Sequence, residues 1–541
     1  MADNIEDFIV TCEGGLDNKN SYLDTAQATP GAARKLLNFE PGLYGGYRRI
    51  NGYEIAHDTL ATVDSANAED EPYGIFIFDG EVYSARKQQS GTTYKIYKWD
   101  NSTGWNALSP GFTLNTTDGT YTVTRLSWDY LNFDGSNVVV IVDGVNYAYM
   151  FNGSAWTQIK STNTGADFAN AGGAIALDKP SRVEVYQNHL FLSGDPTAPY
   201  AIAHSSPSKH YDFVAANGSG QIVASAEVNQ IKVWRDKLIV FSFDQIGNIF
   251  VSNTDFVYRD ITKNLGCIAP HTVLEVNGDL MFFSQDGIRQ IAGTDKIDDF
   301  ELNTISGKIQ KTYLSHIETY DLNKVVGYVI RRKNQVRYHF PGDAIGGNEL
   351  KGFVGGFRRK ITGETSWEWG ELLGHNLWVA SSGFINSVEK IVALNTNAVF
   401  FYQDQGDTFN GRAIQAIYTT PFLYFNSPLV RKSLRKIHAL IDTEGAVAVN
   451  VTARFDWKDP DVLIPPSSLL DTTTSSTATY GGTGVTYGGT GIVYGVGIFP
   501  LLQDNAIGSC MSVQLTFSTV TGTAPYSIQS IIFEYIPQGR R

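Results

Sequence analysis

The side chains best able to do chemistry in this sequence are its carboxylates, since the chain holds 55 Asp and Glu residues. Two carboxylates about 5–10 Å apart around a sugar would hydrolyse a glycosidic bond. The repeated Ser-x-Asp-x-Gly-x-Thr-Trp box of sialidases is missing, however, and so are the GxSxG and HExxH motifs. We therefore expect no catalytic residues and a protein that is not an enzyme, with a glycan-directed hydrolase or receptor-binding protein kept as an alternative.

Metal and phosphate sites need donors at defined spacings, which the sequence does not provide. Asp17-Asn18-Lys19-Asn20 is similar to the start of a calcium loop, but it lacks Gly at the sixth place and Glu at the twelfth. An Asx-rich turn is the better interpretation. Gly307-Lys308-Ile309 lacks the hydroxyl and the upstream glycines of a phosphate-binding loop. We expect no metal and no cofactor.

Histidines and cysteines are also poorly placed for a site. Only His204 and His210 lie close together among nine histidines, and the intervening serines and proline do not favour a ligand pair. The three cysteines, Cys12, Cys267 and Cys510, lie far apart and are odd in number, which argues against a disulfide framework. Buried, unreactive thiols are the interpretation that we favour.

The elements that would position these side chains are short strands joined by tight turns. Asn137–Val142, the pair Asp143-Gly144 and Val145–Tyr149 predict a hairpin with a two-residue turn. Residues 272–291 contain Asn277-Gly278 and Asp286-Gly287 between apolar runs and predict a three-stranded meander.

These strand pairs recur along the chain. Segments 183–193, 232–242 and 275–284 share an apolar strand, a polar turn and a second strand, and their leucines Leu190, Leu238 and Leu280 are 48 and 42 residues apart. Asn101–Trp105 and Asn152–Trp156 recur at an offset of 51 residues. Repeats of about 40–50 residues are typical of propeller blades. We predict an all-β fold with a β-propeller of six or seven blades over residues 66–409; a β-sandwich built from generic hairpins is the alternative.

Both chain ends lack this repeat. Residues 1–65 contain one helical signal, Thr29–Leu37, with Thr as cap and Pro at the first helical position. Residues 410–541 predict strands of a sandwich-like unit, so the two ends would form a second, β-rich platform domain. Tyr480, Tyr487 and Tyr494 recur every seven residues amid Gly and Thr, which indicates either an arm that docks on a neighbouring subunit or a flexible insertion.

The charge pattern suggests partners. A net charge of −13 excludes nucleic-acid binding through overall charge and suits a surface past which DNA slides. Arg48, Arg49 and the basic cluster Arg431, Lys432, Arg435 and Lys436 are candidates for pairing with carboxylates of an adjoining subunit, or for a solvated basic face. The acidic start of the chain lacks the basic and apolar regions of a signal peptide, so we expect none. No apolar run is long enough to span a bilayer, so we expect no integral membrane segment.

Three stretches resemble the propeller-containing tail nozzle or hub proteins of short-tailed bacteriophages, the proteins like tail tubular protein B. The resemblance lies in the following motifs: Glu13–Leu16 with Leu37–Pro41 and Gly45–Tyr53, then Gly266–His271 with Phe283–Arg289, and finally Phe533–Arg541. They follow one another in this order from the start of the chain to its end.

This resemblance implies a structural protein of the virion tail, made in the host cytoplasm. It implies a homohexamer below the portal and its adaptor protein, with terminal segments forming a platform and propellers surrounding the channel for DNA ejection. Tail fibres or spikes would dock on it, and DNA would pass without sequence-specific binding. A propeller scaffold that binds protein partners as a monomer is a further alternative.

Overall fold

A computed structural model describes residues 5–538 with several gaps. The gaps are residues 44, 58–70, 88–90, 134, 161–176, 292–303, 342–350, 360–364, 459–465, 472–500, 505–507 and 521–523. In the part of the chain that is described, no helix is long and apolar enough to cross a membrane.

The N-terminal segment supplies one short helix and five strands. They are β1 (Glu6–Thr11), α1 (Tyr22–Ala28), β2 (Lys35–Leu37), β3 (Phe39–Pro41), β4 (Tyr47–Arg49) and β5 (Tyr53–Ile55). The side chain of Ser21 accepts from the backbone N–H of Asp24 and so caps α1. The helix predicted over Thr29–Leu37 is therefore wrong: Thr29 ends the helix, and residues 35–37 form β2. Pairing of β2 with strands of the C-terminal region outweighs the local helical signal.

Four sheets of four antiparallel strands follow, each a meander. The first two contain β6 (Pro72–Phe78), β7 (Glu81–Lys87), β8 (Tyr94–Asp100), β9 (Gly104–Ala107), β10 (Ser127–Phe133), β11 (Ser136–Val142), β12 (Tyr149–Phe151) and β13 (Trp156–Gln158). The next two contain β14 (Arg182–Tyr186), β15 (His189–Asp195), β16 (Ala198–His204), β17 (Gly220–Val223), β18 (Gln230–Trp234), β19 (Lys237–Phe241), β20 (Ile246–Ser252) and β21 (Asp255–Thr262).

Three further meanders continue the series. Their strands are β22 (Leu274–Val276), β23 (Asp279–Ser284), β24 (Gly287–Gln290), β25 (Val326–Ile330), β26 (Gln335–Phe340), β27 (Lys351–Arg359), β28 (Thr365–Leu373), β29 (Val379–Ile385), β30 (Val388–Leu394) and β31 (Phe400–Gln403). A second helix, α2 (Gln310–Thr319), lies between β24 and β25. The predicted meander over 272–291 is confirmed by β22–β24. Its first turn has positive φ at Asn277 and Gly278, as a two-residue hairpin turn demands.

The sequence repeats fall at equivalent places in these sheets, which form a β-propeller, as predicted. Leu190, Leu238 and Leu280 are fully buried on the second strands of three successive sheets. Trp105 and Trp156 lie on the fourth strands of the first two. The first strands of all seven meanders line one central cavity of about 290 Å³.

One predicted hairpin differs in the structure. The strand after Asp143-Gly144 begins only at Tyr149, because the buried carboxylate of Asp143 organises a longer loop. It accepts from the backbone N–H groups of Val145 and Asn146 and from the hydroxyl of Tyr94. A two-residue turn would remove these hydrogen bonds from a buried charge.

The C-terminal region supplies the remaining strands. They are β32 (Thr408–Phe409), β33 (Arg412–Ala413), β34 (Ile417–Thr419), β35 (Lys432–Thr443), β36 (Ala448–Phe455), β37 (Ser468–Asp471), β38 (Leu501–Asp504), β39 (Gly508–Cys510), β40 (Val513–Thr519) and β41 (Tyr526–Pro537). One sheet has the order β3-β4-β41-β35-β38, with β1 also pairing β41 and β39 also pairing β35. It therefore combines strands from both chain ends.

Two connections tie this terminal unit to the propeller. A nine-stranded sheet runs from the propeller strands β25–β28 through β2 into β34, β40, β36 and β37. In addition, β5 pairs with β31 and thus adds an outer strand to the last propeller sheet. One continuous hydrophobic core contains Phe283 and Tyr338 from the propeller together with Leu434 and Phe533 from the terminal unit. The two parts share one interior.

Candidate functional site

The central cavity of the propeller holds the charged groups that could serve catalysis. Asp129, Glu184 and Lys232 occupy the same third position in the first strands of three successive sheets. Glu184 and Lys232 line the cavity, together with Arg125 and His271. The carboxylate of Asp129 is close enough to Glu184 for its charge to affect the ionisation of Glu184.

Each of these carboxylates binds the first strand of the next sheet. Oδ2 of Asp129 accepts from the backbone N–H of Val185 at 2.7 Å. Oε1 of Glu184 accepts from the backbone N–H of Val233 at 3.0 Å, and its Oε2 accepts from Nζ of Lys232 at 2.6 Å. A repeated position thus becomes a chain of hydrogen bonds that joins three sheets around the cavity.

Burial governs the ionisation of the pair. It raises the pKa of Glu184 to about 7, against the attraction of Lys232, and the charge of Asp129 adds to the rise. Burial likewise raises the pKa of Asp129. A carboxyl with a pKa near neutrality is able to act as a general acid. Both carboxylates, however, already accept backbone hydrogen bonds between sheets, as structural groups do.

Arg125 closes another side of this cavity. Only 5% of it is exposed, and its Nη2 donates to the carbonyl oxygens of Lys324 at 2.9 Å and Trp378 at 2.5 Å. Burial lowers the pKa of Arg125 to about 9. These two carbonyl groups lie just before β25 and β29, the first strands of two other sheets. Arg125 therefore also links sheets around the cavity.

A second cluster of charges lies where the N-terminal segment meets the propeller. Glu40 on β3 and Asp404 after β31 are buried, and Nζ of Lys333 lies 2.9 Å from the first carboxylate and 2.8 Å from the second. Nη1 of Arg48 lies 3.1 Å from Oε1 of Glu40, and its Nε lies 2.6 Å from Glu444. The cluster borders a cavity of about 280 Å³.

This cluster contains one of the predicted interface residues, Arg48, whose guanidinium contacts carboxylates of its own chain. The adjacent Arg49 is only 1% exposed and donates from Nη1 to the carbonyl oxygen of Asp407 at 3.0 Å. Burial lowers the pKa of Arg49. Both side chains therefore connect parts of one chain, and a role between subunits stays a prediction.

The predicted basic cluster on β35 is divided between interior and surface. Lys432 is 1% exposed, its Nζ donates to the carbonyl oxygens of Ser427 and Met511, and burial lowers its pKa to about 8. Arg431 is half-buried and donates to the carbonyl oxygen of Ser509 at 3.4 Å. Arg435 is exposed at a bulge between Leu434 and the half-buried Lys436. Tyr480, Tyr487 and Tyr494 lie outside the described residues.

Apart from Arg48, the charged groups of the cavity and of the junction were not found by sequence reasoning. One signal was present: the alignment that matches Leu190 with Leu238 also matches Glu184 with Lys232. Opposite charges at one repeated position predict a contact between neighbouring blades. Glu40 and Asp404 gave no such signal, because they lie far apart in sequence and neither belongs to a repeat.

Other predicted features can be placed directly. Cys12, Cys267 and Cys510 are free thiols and all buried, which confirms the predicted burial; their lack of reactivity stays a prediction. His204 packs its ring against Phe191 and Phe256. Over the described ranges, no group of three or more His, Cys, Asp or Glu residues is arranged to hold a metal ion.

Comparisons with known proteins give only distant likenesses. No family model matches the chain, and no curated protein matches it. Among solved structures, an ancestral GH74 enzyme has 9% identity and a TM-score of 0.36, over 68% of this chain and 50% of that one. The extracellular domain of a candidate one component system from B. thetaiotaomicron has 10% identity and a TM-score of 0.34, over 65% and 40%. Hsv2 of Kluyvelomyces marxianus has 12% identity and a TM-score of 0.28, over 54% and 79%. The chain thus spans half or less of the first two proteins.

Proposed function

We propose that this chain is a structural subunit of a phage tail, a nozzle or hub ring below the portal and its adaptor that forms part of the conduit for DNA ejection. The observation that carries the proposal is the union of both chain ends with the propeller. A sheet of nine strands and one continuous core join the propeller to the terminal unit. A subunit that transmits load between an adaptor and a fibre needs such a connection, since few-contact linkers allow domains to move.

The chemistry of the central cavity agrees with a passive role. Both oxygens of each carboxylate are engaged: those of Asp129 accept from the backbone N–H groups of Tyr130 and Val185. Those of Glu184 accept from the backbone N–H of Val233 and from Nζ of Lys232. A catalytic pair on a glycosidic bond needs one oxygen free to attack or to protonate the sugar. The same two residues are better explained as ties that keep the propeller closed.

The terminal unit offers surfaces for neighbouring subunits. Among the residues that the structure describes, β1 pairs with β41 alone, so it lies at the edge of its sheet, and its side chain Ile9 is 63% exposed. An exposed apolar edge strand invites pairing with another chain. Arg435 on β35 is exposed on the same sheet. Rings form when one such surface meets a different surface of the next copy with a closing rotation.

The mass of the purified chain in solution tests this proposal. A hexamer of the 59.5 kDa chain would have a mass of about 360 kDa by light scattering. Virion-derived tails, in which the proposed adaptor would be present, should also be examined by negative-stain imaging. Sixfold rings at the head–tail junction are expected; a monomer absent from virions would overturn the proposal and favour a monomeric scaffold.

Charge reversal separates the interface from the fold. We expect the double variant Arg431→Glu, Arg435→Glu to reduce the yield of rings, and Lys209→Glu on an exposed propeller loop to leave it unchanged. Equal ring yields for both variants, with unchanged thermal midpoints, would exclude the β35 cluster from the interface. Assembly of the ring would then depend on other surfaces of the subunit.

A second candidate function, a glycan-directed hydrolase, is favoured by one observation. The pKa of Glu184, which lines the propeller cavity, is raised to about 7, and the half-buried carboxyl of Asp129 lies beside it. Incubation of the wild-type chain with a panel of bacterial surface polysaccharides tests this. Release of reducing ends that is lost in Glu184→Gln would establish the enzyme, whereas the structural proposal expects no release.

A further inference from the structure

The terminal unit carries an exposed apolar surface that the proposed function has not used. It consists of Tyr22 and Leu23 on α1, Leu429, Trp457 and Met511, and is called here the Trp457 surface. These side chains are between 40% and 69% exposed. The ring of Trp457 lies 5.1 Å from that of Tyr22, edge to face, and is stacked 4.7 Å from that of the buried Phe422. Large apolar groups gathered in one patch mark an interaction site.

The backbone is bent to present this tryptophan. Trp457 has φ of +60° and its neighbour Asp456 has φ of +44°. The left-handed region is unfavourable for a bulky side chain and persists only where the surroundings fix it. Oδ1 of Asp456 fixes it by accepting from the backbone N–H groups of Met511 at 2.8 Å and Ser512 at 2.9 Å.

A cavity of about 210 Å³ adjoins the exposed rings. It lies between α1 and the turn after Tyr424, and is lined by Leu23, Ala26, Tyr424, Asn426 and Pro428 among others. Phe425 and Asn426 in this turn also have positive φ, +49° and +59°. The surface is thus an aromatic ridge beside a depression large enough for an aromatic side chain.

We propose that the Trp457 surface receives segment 472–500 of a neighbouring copy of this chain. That segment contains no charged residue, although 18% of the chain is charged, and it carries Tyr480, Tyr487 and Tyr494 at a constant spacing of seven. Tyrosine supplies a large contact area at a low entropic cost, and glycine lets its backbone approach closely. An uncharged, tyrosine-bearing segment matches an apolar receptor surface that has a cavity beside it.

Both ends of the segment lie away from the Trp457 surface of their own chain, which favours a neighbour as the source of the segment. Asp471, which precedes it, pairs with Ala448 at the start of β36, whereas Trp457 follows the end of that strand. At roughly 3.3 Å per residue, the eight residues of β36 separate these two ends by about 26 Å. Leu501, which follows the segment, pairs with Leu440 towards the far end of β35 from Lys432. In a head-to-tail ring, one end of each subunit meets the opposite end of the next.

This inference rests on the proposed ring, and two measurements test the two ideas separately. The receptor is tested with a fluorescent synthetic peptide of residues 478–496, bound to the full chain carrying Tyr480→Ser, Tyr487→Ser and Tyr494→Ser so that its own segment does not compete. We expect saturable binding by fluorescence anisotropy, weakened at least tenfold by adding Trp457→Gly, which also relieves the backbone strain. The matched control, Val223→Ser, removes an apolar side chain that is 63% exposed on the propeller strand β17 and should leave binding unchanged. Equal affinities with and without Trp457 would overturn the inference.

Ring formation is tested by light scattering of the full-length variants. The triple tyrosine variant and the Trp457→Gly variant should each remain monomeric, with circular dichroism spectra like that of the wild type. Mixed together, they should form heterodimers but no closed rings, since only one of every two junctions is intact. Normal rings from both variants would overturn the docking inference while leaving the ring proposal in place. A wild-type chain that is monomeric in solution and absent from virions would overturn both the ring and the docking between copies, even if the triple tyrosine variant binds the peptide.

Discussion

Glu40 and Asp404 share one guanidinium group: Nη2 of Arg337 lies 2.9 Å from Oε2 of Glu40 and 3.0 Å from Oδ1 of Asp404. The three residues come from β3, the end of β31 and β26, and all are at most 2% exposed. A single buried cation thus joins the N-terminal segment to two sheets of the propeller. Removing Arg337 would leave Lys333 as the one cation, within the described ranges, that still contacts both buried carboxylates. Such a loss in the interior is far more costly than losing a surface ion pair.

Arg337→Met is therefore expected to lower the free energy of unfolding by about 3–5 kcal/mol. The control is Arg332→Met, because Arg332 contacts Asp404 from the surface with a side chain that is 56% exposed. Its loss should cost less than about 1 kcal/mol. Denaturant titration followed by tryptophan fluorescence measures both values, and equal losses would contradict a central role for the shared guanidinium.

The same cluster should make the fold sensitive to acid. Burial alone would raise the pKa of Glu40 and Asp404, but the charges of Lys333 and Arg337 outweigh it and leave the pKa of both carboxyls lowered. A lowered pKa gives stability that is present above the ordinary value of about 4 and is lost as the pH falls below it. Thermal midpoints should fall between pH 5 and pH 3, and less steeply in Arg337→Met. A parallel fall in both proteins would assign the acid sensitivity to other groups.

Glu184 should make the stability of the fold change with pH in the opposite direction and over a higher pH range. Its pKa is raised to about 7, so the folded protein holds a proton that the unfolded chain releases near pH 4.3. This stabilisation is complete below pH 4.3 and is lost as the pH rises towards 7. Glu184→Gln should flatten the dependence of the unfolding midpoint on pH between about 4.5 and 7.5. An unchanged slope would show that Glu184 is ionised throughout this range.

The propeller was predictable because its signals are local and repeated. A two-residue turn such as Asn277-Gly278 and a buried leucine such as Leu238 recur where the chain repeats one structural unit. The helix expected over 29–37 failed because its end, β2, is fixed by strands almost four hundred residues away. The residues of segment 29–37 themselves give no indication of this long-range strand pairing.

The charged sites also differ in whether the sequence could predict them. Glu184 and Lys232 occupy equivalent positions of the repeat, so their contact was available from the sequence alignment of one chain with itself. The pairs that Arg337 makes with Glu40 and Asp404 span 297 and 67 residues and follow from the tertiary fold alone. Arg48 and Lys432 are predicted from the sequence to pair with a neighbouring subunit or to form a solvated basic face, yet carboxylates and carbonyl groups of the same chain contact them.

The three cysteines are expected to be chemically silent in the folded protein. Burial raises the pKa of Cys12, Cys267 and Cys510 to about 12, so very little thiolate is present at neutral pH. Titration with a thiol-reactive chromophore should detect no fast-reacting group in the native chain and three after denaturation. Rapid modification of one native thiol would show that its surroundings open on the timescale of labelling.

The pairing of β5 with β31, which adds an outer strand to the last propeller sheet, depends on a glycine that precedes β5. A Cβ atom at Gly52 would lie 1.8 Å from the carbonyl oxygen of Thr408. The backbone of Gly52 also donates to Gly406 at 3.0 Å and accepts from Gln405 at 3.2 Å, so it has no room to retreat. Gly52→Ala should therefore displace β5 from β31 and lower the free energy of unfolding by about 1–3 kcal/mol.

Gly307→Ala serves as the control for this variant, because the nearest contact of a Cβ atom there is Oγ1 of Thr304 at 3.5 Å. It should change the free energy of unfolding by less than about 1 kcal/mol. Limited proteolysis adds a local measurement: cleavage in the N-terminal segment should become faster in Gly52→Ala and not in Gly307→Ala. Equal stability and equal cleavage in the two variants would mean that the pairing of β5 with β31 does not depend on Gly52.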